Sequence, residues 1–115
     1  MIITLPYPPT GNHSVKHTRS GKHYITAELK AYRQHVNLLV ASKGAAMRLS
    51  GPLVVTVEIC PPDRRRRDMD NTFKTLADAL TRAELWLDDF QIVDLRLIRC
   101  APVKDGLVRL EVVGS

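Results

Sequence analysis

The sequence has no apolar run approaching the roughly 20 residues that a membrane-spanning helix needs. Its first apolar stretch, Met1 to Leu5, is stopped by Pro6 before it could serve as a signal peptide. The cytoplasm is therefore the expected compartment. Cysteine is scarce: Cys60 and Cys100 lie far apart, with no CxxC and no paired histidines at zinc spacing, so two buried free thiols are expected rather than a disulfide framework or a zinc finger. Repeats, linkers and low-complexity tracts are absent, and 115 residues suit one domain. Acids are scarce in the first half. Residues 1–50 carry seven Lys or Arg against Glu28 alone, whereas residues 51–115 carry ten against eleven acids, so the formal charge of +5 is an N-terminal excess. That imbalance suits a phosphate-rich partner, although charge alone also serves solubility. A domain this small meets an extended substrate with its outer face or with a second copy of itself.

What is present reads as alternating elements. Met1 to Leu5 forms a short strand ended by Pro6, Pro8 and Pro9. Residues 10–24 show no apolar period and are expected to be a polar loop in which Lys16, Arg19 and Lys22 either contact phosphate or simply keep the loop solvated; His13, His17 and His23, spaced four and six apart in a loop, argue only weakly for a metal. Thr26 is a suitable N-cap, and Leu29, Tyr32, Val36, Leu39 and Val40 recur at helical spacing up to Gly44 or Leu49. Gly51-Pro52 breaks the chain before a strand with Leu53, Val55, Val57 and Ile59 on one face. A helix is predicted over 71–85, with Phe73, Leu76, Ala77 and Leu80 inward and Asp70 or Asn71 as cap. Residues 92–100 and 107–113 then read as strands, joined as a hairpin around Lys104-Asp105-Gly106. The order β-α-β-α-β-β predicts an α+β, or mixed α/β, domain with two helices on one sheet.

The chemistry is concentrated in Pro61-Pro62-Asp63-Arg64-Arg65-Arg66-Arg67-Asp68-Met69-Asp70-Asn71. Asp68 and Asp70, two apart in what should still be extended chain, would point to one side. Two neighbouring carboxylates repel unless a cation neutralises them, and Mg²⁺ takes one or two carboxylates while keeping sites for water and phosphate. Capping of the next helix is the plainer role for such acids. Four consecutive arginines repel one another unless they are solvated or face anions, and guanidinium forks match phosphate oxygens. Acids for a cation inside a basic patch for a polyanion is what metal-assisted phosphodiester cleavage requires. Lys74, four residues after Asp70, lies over the first turn, where it either meets phosphate or pairs with Asp78. Trp86 reads as core. Asp88 and Asp89 follow it, and Asp89 can return to the helix start only if the flanking strands are neighbours.

These motifs carry a resemblance. The run PPDRRRRDMDN, then Lys74, then ADALTRAE leading into WLDDFQIVD, together with LPYPP and Asn12 near the N-terminus, resembles the RusA family of Holliday-junction resolvases over essentially the whole chain. The resemblance implies a homodimer that depends on Mg²⁺, with Mn²⁺ as a possible substitute, binds four-way junction DNA and makes paired nicks for recombination and repair. It implies Asp68, Asp70, Asp89 and Lys74 as the essential residues; the chemistry of the residues themselves makes Asp68, Asp70 and Asp89 the expected metal ligands and Arg64, Arg65, Arg66 and Arg67 the expected DNA contacts, with Asn12 beside them. One departure is visible: Glu84 stands where the family usually carries Gly. The missing glycine predicts a different helix ending, with consequences for where Asp89 sits. The competing readings are a non-enzymatic nucleic-acid-binding module and a related metal nuclease acting on flaps or duplex.

Overall fold

Strict alternation of β-branched and aliphatic residues makes Leu53–Cys60 the central strand, with Leu53, Val55, Val57 and Ile59 all buried. Around it the computed structural model describes residues 1–9, 15–17 and 23–114, without the side chains of 15–17 and 23–25. In chain order the elements are β1 (Ile2–Leu5), β2 (Val15–His17), β3 (His23–Ile25), α1 (Ala27–Ser42), β4 (Leu53–Cys60), α2 (Met69–Arg82), a 3-10 turn at Asp89–Gln91, β5 (Ile92–Arg99) and β6 (Leu107–Gly114). The main sheet has the order β1-β6-β4-β5. Both helices lie on one face, where Tyr32, Val36, Val40, Leu76 and Leu80 meet Val55, Val57 and Leu110 in a single core. The opposite face is solvated, with Arg109 paired to Glu58 at 3.0 Å. The expected α+β architecture and element order hold.

The polar stretch expected at 10–24 contains a two-stranded antiparallel ribbon, β2 with β3, in which Val15 faces Ile25 and Lys16 faces Tyr24. Strands of three residues are too short to show a period in sequence, which is why this ribbon reads as loop. Asn12, Arg19 and Lys22, with the Lys16 side chain, lie outside the described residues.

The predicted hairpin of the last two strands does not form. β5 pairs parallel with β4, and β6 pairs antiparallel with β4 on its other side, so the central strand separates them. The Lys104-Asp105-Gly106 turn exists, with Asp105 at φ 65° and Gly106 at φ 69°, but it opens a crossover rather than a hairpin. Gly106 is required there twice over: a Cβ would lie 2.8 Å from Tyr7 Cβ, and its backbone is left-handed.

Thr26 caps α1 as expected, its Oγ1 accepting from Leu29 N at 3.3 Å. The helix stops at Ser42, where Gly44 at φ +64° lets Ala45 N donate to Val40 O and Gly44 N to Ala41 O. α2 begins two residues earlier than expected and ends three earlier, with Asp68 rather than Asp70 or Asn71 at the N-cap position. Its C-terminus corrects the other expectation. Glu84 adopts φ 65°, the conformation a glycine would take, while Glu84 N donates to Thr81 O and Leu85 N to Leu80 O, both at 3.1 Å. The helix therefore ends as a glycine-capped one does. Burial of Leu85 and Trp86 fixes that exit, and Arg48, itself at φ 49°, holds Glu84 by a backbone bond of 2.8 Å and an ion pair of 3.0 Å.

Candidate active site

The segment between β4 and α2 is organised by Asp63. Its Oδ1 accepts from Arg65 N at 2.9 Å and from Arg67 Nη1 at 2.7 Å. The Arg67 side-chain bond, then the Arg65 backbone bond, hold its carboxyl down at about 2. Arg67 is correspondingly raised, chiefly by Asp63, and only 17% of its side chain is exposed. Its guanidinium lies 5.8 Å from the Tyr7 ring centroid, and its carbonyl accepts from Arg99 Nη2 at 2.9 Å. One arginine of the four is thus committed to holding the segment together. Arg64, Arg65 and Arg66 remain exposed, and the four arginines with Tyr7, Arg99 and their neighbours line a pocket of about 250 Å³.

Asp68 stands at the head of α2 with extended backbone, yet its side chain makes no capping bond. The plain capping role is therefore not what Asp68 does. Asp70 is already inside the first helical turn, so the extended-chain argument for its orientation does not apply; its Oδ1 accepts from Asn71 N at 3.0 Å and it stays exposed. Lys74 is not paired with Asp78. That carboxylate is taken by Arg33 at 2.8 Å and Arg82 at 3.0 Å, which leaves Lys74 exposed without an ion pair among the described residues. The start of α2 therefore presents two carboxylates, an ammonium and three exposed guanidinium groups to solvent, of which Arg65 lies 3.8 Å from Asp63 in a loose ion pair.

Trp86 is core, 1% exposed, and its Nε1 donates to Thr81 Oγ1 at 2.6 Å. After it, Asp88 Oδ1 accepts from Phe90 N at 3.0 Å and opens the 3-10 turn. That backbone bond, followed by a hydrogen bond with Asp89, lowers Asp88; the same hydrogen bond, with partial burial and the charges of Asp88 and Asp78, raises Asp89.

The strands flanking α2 are neighbours, as a returning Asp89 was expected to need, but the outcome is opposite to the expectation. Because β5 runs parallel to β4, α2 must carry the chain from the far end of β4 back to the near end of β5. Its 14 residues rise about 21 Å. Asp68 and Asp70 lie at one end of that helix and Asp88 and Asp89 at the other, where Asp89 feels Asp78 instead. Among the described residues no three carboxylate, histidine or cysteine side chains gather as a metal site. Cys60 and Cys100, both free and half-buried rather than fully buried, are end-of-strand neighbours, with Cys100 N bonded to Ile59 O at 2.8 Å.

The family model described as Endodeoxyribonuclease RusA matches residues 6–113. The chain belongs to the RusA family. A protein named crossover junction endodeoxyribonuclease RusA in Shigella sonnei is 42% identical over 110 residues, covering 96% of this chain and 91% of that protein. The RusA proteins of Escherichia coli K12, at 41%, and of Enterobacteria phage 82, at 42%, align over the same shares. The relatives thus come from both bacteria and a phage.

Sequence reasoning missed Gln91. Its Oε1 accepts from Leu87 N at 2.9 Å and Asp88 N at 2.8 Å, and its Nε2 donates to Leu49 O at 2.8 Å and Gly51 O at 2.9 Å. The signal was present in Asp88-Asp89-Phe90-Gln91, a capping-box spacing, but it opens a turn of three residues rather than a helix.

Proposed function

We propose that this chain resolves four-way DNA junctions by paired, Mg²⁺-dependent nicking, with Mn²⁺ able to replace Mg²⁺, and that it acts as a homodimer in the compartment that holds the DNA. The observation that carries the reading is the set of exposed charged side chains at the head of α2: Asp68, Asp70 and Lys74 beside Arg64, Arg65 and Arg66. Membership of a family whose curated relatives are named crossover junction endodeoxyribonucleases supports it.

The donor set fits a hard divalent cation, since every candidate ligand is a carboxylate oxygen. Within one chain, however, a helix parts the third acid from the other two. The dimer we propose supplies it. β5 is an edge strand only partly covered on its helix side: Leu95 and Leu97 share a face with buried Val55 and Val57, and while Leu97 packs on the core, Leu95 is 41% and Val93 63% exposed. Leu87 and Phe90, 57% and 89% exposed, stand close by in sequence on either side of Asp89. Exposed apolar side chains along an unpaired strand edge suit a partner. An isologous contact over it would set Asp89 of the partner subunit against Asp68 and Asp70, twice per dimer.

In that arrangement Arg64, Arg65 and Arg66 bind backbone phosphates and fix the strand, and Lys74 offsets charge that develops at the scissile phosphate. The bound cation would supply an acidified water and a polarised phosphate. A four-way junction has near two-fold symmetry, so two sites related by a dyad meet two opposed strands.

Incubating the purified chain with a mobile four-way junction, a flap and a linear duplex, in Mg²⁺, in Mn²⁺ and in chelator, tests the function. Metal-dependent symmetric nicking of the junction alone is expected. Metal-indifferent binding without cleavage would make the chain a binding module, and equal cutting of flap or duplex would make it a nuclease of another selectivity.

A further inference from the structure

We infer that Gln91 is the positioning residue for Asp89, and that it sets how tightly the site holds its cation. The inference rests on the reading of Asp89 as a metal ligand. A primary amide offers two N–H donors and one oxygen with two acceptor sites. All are used here, and the two backbone N–H groups and two carbonyls around the side chain dictate which way the amide faces. The four bonds join the turn carrying Asp88 and Asp89 to the Leu49–Gly51 segment entering β4, and extend a contact that Leu49 N begins by donating to Leu85 O at 3.0 Å.

The turn needs such a tie. It is three residues long, its own Phe90 and nearby Leu87 are exposed, and no residue in it is buried. A one-turn 3-10 element has poor hydrogen-bond geometry of its own. Held by Gln91, the Asp88 backbone is fixed at both its N–H and, through Gln91 N, its carbonyl at 3.0 Å. The next residue along is Asp89, so the backbone position from which its carboxylate reaches out is held before any cation arrives. A ligand oriented in advance does not lose rotational freedom on binding, and loss of the supporting hydrogen bonds around metal ligands typically weakens metal binding by about 10- to 100-fold.

The test is Mn²⁺ binding followed by electron paramagnetic resonance on the full chain, for wild type, Gln91→Met, Asp89→Asn and the double variant. Gln91→Met keeps the side-chain length and removes the strong hydrogen bonds. At least about 10-fold weaker Mn²⁺ binding is expected, with junction binding in chelator unchanged and no further loss when Gln91→Met is added to Asp89→Asn. Wild-type Mn²⁺ affinity in Gln91→Met, or additive losses in the double variant, would overturn the positioning role. If Asp89→Asn alone binds Mn²⁺ like wild type, Asp89 is no ligand and the inference falls with that reading. Amide exchange on the wild-type protein guards against a variant that does not fold: the Leu87 and Asp88 amides, on exposed residues, should exchange as slowly as those of β4. Fast exchange there would show that the clamp does not hold.

Discussion

Asp63 draws the Arg67 guanidinium inward at 2.7 Å, with Arg65 more loosely held at 3.8 Å, and so gives the exposed arginines of the run a fixed platform. The bond to Arg67 is worth most when Asp63 is ionised. Its carboxyl titrates at about 2 in the folded chain against an ordinary value of about 3.9. A depressed acid contributes stability above its unfolded value and loses it as pH falls through the folded one. The stability advantage of wild type over Asp63→Asn should therefore be full above pH 4 and shrink between about pH 4 and about pH 2 in urea titrations; a constant difference across that window would show that the pairing contributes nothing. The sequence disclosed the charges of this segment but not their division of labour. Nothing in four identical letters says that Arg67 turns inward over Tyr7, or that Arg33 and Arg82 take Asp78 and leave Lys74 free, because those pairings depend on which elements meet.

At the scale of elements, the segment's exposed arginines predict a salt effect. Each phosphate contact on B-DNA contributes roughly 0.9 to the slope of log affinity against log salt. Replacing Arg64 and Arg65 with Gln should weaken junction binding and reduce the slope by roughly 1 to 2, measured by titrations at several ionic strengths; an unchanged slope would remove both side chains from the DNA interface. The end of α2 predicts a stability effect. Left-handed backbone costs an ordinary residue roughly 1 kcal/mol relative to glycine, and the exposed Arg48 pair with Glu84 returns at most about that much. Glu84→Gly should therefore be more stable than Glu84→Ala by about 1 kcal/mol in urea denaturation, and equal stabilities would mean that the residue is not held at positive φ. Both helices and the four main strands were legible from period and capping residues. What sequence could not show was pairing. The prior that consecutive strands adjoin favoured a hairpin of β5 and β6, and a strand buried on one face by local alternation carries no mark of which two strands will flank it. The β2–β3 ribbon escaped for want of length.

For the whole molecule the decisive quantity is the length of α2. If sites are shared between subunits, Asp70→Asn and Asp89→Asn should each bind junctions without nicking them as homodimers, yet regain activity when mixed. In the mixed dimer one site collects both substitutions and the other collects neither, so about half the dimers formed by random exchange would carry one intact site and nick one strand. No recovery after verified subunit exchange would return all three acids to a single chain. The resemblance in sequence pointed to the correct family; only the parallel pairing of β4 and β5 reveals that the acids it implied lie a helix apart.

That separation has a consequence for safety. On the shared-site reading a solitary subunit, however well folded, is harmless to a genome: it holds a grip without a blade at one end and a blade without a grip at the other. Cutting power then rises with the square of subunit concentration when dimers are scarce, and two incisions become available together because neither can be armed alone.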